Sequence, residues 1–121
     1  VTAAPEPVHI LAVDDEPGVR NILANLLKTR GHVVSVASSG REALDKLEQR
    51  PVDIVFTDHG MPEMNGHQLA EAIRASWPNL PVVLVTGDTE FARHIEAIDA
   101  VIAKPFSLDD LQHVIHNLVV A

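Results

Sequence analysis

At 121 residues, with 46% apolar residues and a formal net charge of −8, the chain has the size and composition of one packed globular domain. The absence of cysteine excludes disulfides, thiolate catalysis and zinc–thiolate sites, and nine Lys and Arg against seventeen Asp and Glu argue against direct nucleic-acid binding by this domain. No apolar run approaches the roughly 18 residues a membrane helix needs and no signal peptide stands out, so no membrane contact and a cytoplasmic location are expected.

Residues 1–7, VTAAPEP, read as a stiff Ala- and Pro-rich linker tail joining a domain over 8–121 to a larger protein on its N-terminal side. Strand 1 is expected near 8–14. Helix 1 follows, with Val19, Ile22, Leu23, Leu26 and Leu27 on one buried stripe and Gly31 as a left-handed stop. Strand 2, near 32–37, leads into helix 2, which Ser39 and Glu42 open at capping-box spacing and Ala43, Leu44 and Leu47 anchor. Strand 3, near 52–57, precedes helix 3, opened by Asn65 and Gln68. Strand 4, near 81–86, precedes the thinnest helical pattern, near 89–97, with Phe91, Ile95 and Ile98 as its anchors. Strand 5, near 100–103, precedes helix 5, where Ser107 and Asp110 form the start and Leu108, Leu111, Ile115 and Leu118 the stripe. Five βα units without a hairpin signal predict an α/β, flavodoxin-like doubly wound fold. Its parallel sheet has the order 2-1-3-4-5, with helices on both faces.

Four of the apolar runs end on reactive polar residues: ILAV on Asp14 and Asp15, DIVF on Thr57 and Asp58, VVLV on Thr86, and VIA on Lys104. In a parallel sheet the carboxyl ends of all strands share one edge, so these groups converge in one crevice. Three carboxylates alone repel one another and favour protonation of some of them; a hard divalent cation removes the conflict. Magnesium takes oxygen ligands and keeps several waters, which suits Asp15 and Asp58 as direct ligands, Asp14 through water, and a backbone carbonyl just after Asp58. A carboxylate can also attack phosphorus, and phosphoryl transfer needs little beyond alignment and charge neutralisation. Lys104 offers a point charge and Thr86 a hydrogen bond to phosphoryl oxygens, while Asp58, central among them, is the best-placed nucleophile.

The motifs VDDE, TDHGMPEMNG, VTG and AKPF, in this order and spacing, resemble the receiver domain of two-component response regulators over about residues 8–119. The resemblance implies that Asp58 accepts phosphate from a phosphohistidine of a histidine kinase or phosphotransfer domain, in cis or in trans. It implies that Asp14 and Asp15 hold Mg2+ with Asp58, that Gly60 lends its carbonyl, that Thr86 and Lys104 bind the phosphoryl group, and that the Lys104–Pro105 bond is cis. The isolated domain is then no enzyme beyond its own phosphotransfer and dephosphorylation. Its parent is expected to be a hybrid histidine kinase carrying this receiver at its C-terminus, with a regulator whose output domain lies elsewhere as the alternative.

Three departures from the family pattern matter. Val101 stands three residues before the lysine, where relatives usually carry an aromatic switch residue. The span from Thr86 to Lys104 is about four residues shorter than usual, which implies a shortened helix 4 on a face many relatives use to dock or to form homodimers. Gly60 replaces a larger polar side chain and leaves room for an attacking water. Each motif residue also has a plainer reading: Asp14 and Asp15 as caps of helix 1, Asp58 and Thr86 as turn residues, Lys104 as a solvated charge. Met61 and Met64 read as packing or loop anchors and His59 as an exposed neighbour. His113 with His116 reads as a solvated polar face, a metal pair being the alternative. Two rivals remain: a degenerate receiver that only binds protein, and an aspartate-nucleophile phosphatase. The latter would need a second aspartate where Gly60 stands.

Overall fold

The computed structural model of the chain describes residues 8–119; the expected linker tail, 1–7, and residues 120–121 lie outside that range. Five strands, β1 (His9–Val13), β2 (Val33–Ala37), β3 (Ile54–Asp58), β4 (Val82–Thr86) and β5 (Ala100–Ala103), alternate with α1 (Pro17–Lys28), α2 (Gly40–Gln49), α3 (Gly66–Ser76), α4 (Thr89–Ala92) and α5 (Leu108–Leu118). All pairings are parallel, in the predicted order β2-β1-β3-β4-β5. The chain reverses direction across the sheet between β1 and β3, where a crevice opens beyond the strand ends.

Alternate residues of the central strands feed two separate cores. Ile10, Ala12, Ile54, Phe56, Val83 and Val85 meet Leu23 and Leu27 of α1 and Leu111 and Ile115 of α5. Leu11, Val13, Val55 and Val82 meet Ala43 and Leu47 of α2 and Leu69, Ala70 and Ile73 of α3. Burial on both faces is why these strands read as continuous apolar runs. Met61 is buried in the second core with Met64 half-buried beside it, the anchoring role expected of both.

Local chemistry sets the helix ends. Complete capping boxes open α3 at Asn65 and Gln68 and α5 at Ser107 and Asp110. At α2 only half the box forms: Ser39 Oγ accepts from the Glu42 N–H, but the Glu42 carboxylate turns to the Ser38 N–H and hydroxyl, which holds it below the usual carboxylate range. Gly31 takes φ 82°, the left-handed stop expected after α1.

Two expectations need correction. Ile22 was placed on the buried stripe of α1 but is 56% exposed, because α1 turns Leu23, Ala24 and Leu27 inward, with Leu26 partly buried against the core, and leaves Ile22 on its outer side. The fourth helix was expected over 89–97 but ends at Ala92. Beyond it the chain continues in short-range turns, His94 N–H to the Phe91 carbonyl, Ile95 N–H to Ala92 and Ile98 N–H to Ile95. The segment buries only its own Ala92 and Ile95, against Leu84 of β4, too little apolar support for further α-helical turns. Arg74 of α3 ties the segment down instead, donating to the carbonyls of Pro78, Leu80 and Ala97 and pairing with Asp99 at 2.6 Å. Asp99 in turn accepts from the Val82 N–H at 2.8 Å, just before β5 begins.

Candidate functional site

The strand ends meet as predicted. Asp14 directly follows β1, Asp58 and Thr86 are the last residues of β3 and β4, and Lys104 directly follows β5. Carboxylate oxygens of Asp14, Asp15 and Asp58 all lie within 4.8 Å of one another. Lys104 Nζ donates to Asp58 Oδ1 at 2.8 Å and stands 3.7 Å from Asp14 Oδ2, so one ammonium bridges two acids.

The backbone around the acids is held firmly. Asp14 is 3% exposed; its N–H donates to the Ala37 carbonyl, its carbonyl accepts from Arg20 Nη1, and its Oδ1 accepts from the Glu16 N–H. Its carboxyl titrates above the usual range chiefly because it is buried; the Glu16 N–H and Lys104 pull the other way, and Asp58 and Asp15 push further up. Burial alone would lower Lys104, but the hydrogen bond to Asp58 and the charges of Asp58, Asp14 and Glu16 outweigh it, so its ammonium is held above the ordinary lysine value. Glu16, not either aspartate, is the N-cap residue of α1, and no side chain caps that helix. Capping therefore does not account for Asp14 and Asp15.

Thr86, 7% exposed, does not join the ion pairs: its Oγ1 accepts from the Asp88 N–H at 3.1 Å. Gly60 is exposed, and a Cβ there would meet nothing within 4 Å, so the loop after Asp58 is open to solvent on that side. The Lys104–Pro105 bond is cis, as the resemblance implied.

His59 corrects an expectation. It is half-buried, not an exposed neighbour, and its ring lies against Phe91 with centroids 4.8 Å apart and planes tilted by 58°. Strand alternation gave its side of the sheet but could not reveal what covers it. His113 and His116 are both exposed, and His113 bonds Asn117 at 3.1 Å, in keeping with a polar face. Sequence reasoning missed Gly66. A Cβ there would come within 2.5 Å of the Asp58 carbonyl oxygen and 2.6 Å of Leu84 Cδ1, so only glycine lets α3 start this close to the site. The signal was available as a glycine immediately after the Asn65 cap.

Among the described residues no helix is long and apolar enough to cross a membrane. The family model of the response regulator receiver domain matches residues 10–116. The response regulator Rre1 of Synechocystis sp. is 35% identical over 121 residues, covering 94% of this chain and 52% of that protein. The sensor histidine kinase RcsC of Salmonella typhi is 38% identical over 111 residues, covering 88% of this chain and 12% of that one. The crystal structure of the response regulator TrrA from Thermotoga maritima, in complex with Mg2+ and BeF, matches with a TM-score of 0.86 at 31% identity, covering 92% of this chain and 98% of that one. The chain thus spans about half, or less, of the length of these two curated relatives. With its fivefold βα sheet and its rim of acids, the chain belongs to the response regulator receiver domain family of two-component signalling.

Proposed function

We propose that Asp58 is the phosphoacceptor, taking a phosphoryl group from a phosphohistidine of a histidine kinase or phosphotransfer domain. The observation that carries this reading is the 2.8 Å pair between Lys104 Nζ and Asp58 Oδ1 at the mouth of the acid cluster. A carboxylate oxygen of Asp58 forms the new bond to phosphorus as the P–N bond breaks, and the electron pair of that bond returns to the donor imidazole.

The donor set fits Mg2+: all oxygen, three acids close enough to share one ion, and a buried Asp14 whose charge is costly without a cation. Bound there, Mg2+ would neutralise the acids and draw charge from a phosphoryl oxygen. Asp14, Asp15, Asp58 and the Gly60 carbonyl would hold it. Lys104 exchanges part of its pairing with Asp58 for a second phosphoryl oxygen, and the Thr86 hydroxyl donates to the third. Hydrolysis of the acyl phosphate, or its relay to another histidine, resets the site.

The exposed Ile22 supplies a place for the donor. With Val19, Leu26, Pro105 and Phe106 it forms an apolar strip running up to Lys104, continuous with the acceptor site. A helical phosphohistidine donor laid on this strip brings its ring to Asp58. Neighbouring domains of the parent protein, a sensor kinase or a regulator, would set input and output.

Beryllofluoride with Mg2+, a stand-in for the aspartyl phosphate, tests the reading. Amide signals of Asp15, Asp58, Thr86 and Lys104 should shift on its addition, and not in Asp58→Asn. An unchanged parent spectrum would refute the reading.

A further inference from the structure

β5 carries Val101, not an aromatic, three residues before Lys104, and α4 is a single turn. Another aromatic contact lies closer to the acceptor. The His59 ring, one residue beyond Asp58, rests on Phe91 of α4 at 4.8 Å between centroids. The backbone beneath it is fixed, since the His59 carbonyl accepts from the N–H groups of both Met61 and Gly66 at 2.9 Å. The ring itself is not anchored by polar contacts: its Nδ1 is shut off from solvent and has no hydrogen-bond partner.

Phe91 is held from the other side of the site. The Phe91 N–H donates to Asp88 Oδ1 at 3.1 Å, and the Asp88 N–H donates to Thr86 Oγ1 at 3.1 Å. A continuous path therefore runs from Asp58 through His59, Phe91 and Asp88 to Thr86, and both of its ends are groups assigned to the phosphoryl site. Its middle is the least supported part of the fold. Phe91 is 43% exposed, and the segment buries only its own Ala92 and Ile95 against Leu84.

We propose that the tilted His59–Phe91 contact is the element that reports the state of Asp58 at the α4 surface. The proposal rests on the phosphoacceptor reading above. A Thr86 hydroxyl turned to a phosphoryl oxygen withdraws the acceptor of the Asp88 N–H, which loosens the single turn that carries Phe91. Separation is further favoured because it gives the unpaired His59 nitrogen access to water, relieving a desolvated polar group. The stacked and separated arrangements form a two-state element, and modification of Asp58 shifts its population toward the separated one.

By linkage, a contact made only in the unmodified state opposes modification, so removing it strengthens binding of the phosphoryl stand-in. An aromatic contact of ordinary strength corresponds to about a threefold change in affinity. The test is titration of the parent and of Phe91→Leu with beryllofluoride at saturating Mg2+, following the carbon-bound imidazole protons of His59. In the parent those protons should move as the Phe91 ring current is lost, while in Phe91→Leu they should already sit near the shifted position. Phe91→Leu should also bind beryllofluoride about threefold more tightly, and Phe91→Met serves as a second variant should leucine disturb folding. A His59 signal that stays put on binding, or variant affinities equal to the parent's, would overturn the proposal while leaving Asp58 as acceptor. Failure of the parent to bind beryllofluoride at all would overturn both.

Discussion

The two sides of the site are built differently. On the β1–β3 side the acids sit at the ends of central strands buried on both faces, with Asp14 fixed through its N–H, its carbonyl and its carboxylate. On the β4–β5 side, Thr86 and Lys104 adjoin an edge strand and a one-turn helix in the smallest of the three cores, where only Leu84, Ala92 and Ile95 are buried. On the proposed function, rigid strands suit the acids, which would present a cation cage of fixed geometry. Thin packing suits the donors, whose new partner arrives with the phosphoryl group, because moving elements come from the weakly stabilised parts of a fold. On this reading the proposed ligand cage and the proposed responding surface lie on opposite sides of Asp58.

The largest expected effect lies on the rigid side. Gly66→Ala would drive a methyl group into Leu84 and into the backbone at Asp58 and His59, which cannot retreat, and should lower unfolding stability by about 2–3 kcal/mol in urea. On the thin side, Arg74→Met removes the guanidinium that ties α3 to the α4–β5 segment and should cost about 1–2 kcal/mol. Amide exchange should quicken selectively over residues 93–99. Uniform loosening across β1 and β3 would contradict the division.

Asp14→Asn sharpens the comparison by changing sign with the ion. Without Mg2+ it should stabilise the chain, since burial and the two neighbouring acids oppose its charge. With Mg2+ it should be the less stable protein, because the parent alone gains the full free energy of ion binding. Thermal unfolding with and without the ion reads both signs.

Gly60→Asn gives the smallest change in stability, as its side chain would enter open space. Its effect should appear in lifetime: a side chain beside the acyl phosphate hinders the attacking water and slows dephosphorylation several-fold. Equal lifetimes in parent and variant would show that the gap at Gly60 has no bearing on water access.

The positions of Asp14, Asp58, Thr86 and Lys104 were legible in the sequence because one rule, the shared edge of parallel strands, decides all of them. The expected order of strands followed from the same rule and the right-handed crossovers. What failed depended on neighbours that periodicity does not see. Ile22 fits the helical stripe of α1, yet the helix turns Leu23, Ala24, Leu27 and part of Leu26 to the interior and leaves Ile22 outside. Residues 93–97 have a helical pattern, but a short return to β5 and the Arg74–Asp99 pair hold the chain in turns. The covering of His59 by Phe91 joins the loop after β3 to helix α4, and no local pattern announces it.

The central claim is that Asp58 is the nucleophile of a cation-dependent phosphoryl site. Incubation of the chain with acetyl phosphate, followed by intact mass and peptide mapping, tests it most directly. One phosphoryl group should appear on the peptide carrying Asp58, only when Mg2+ is present, and Asp58→Asn should stay unlabelled. Labelling that persists in Asp58→Asn, or that proceeds equally well in chelator, would contradict the account.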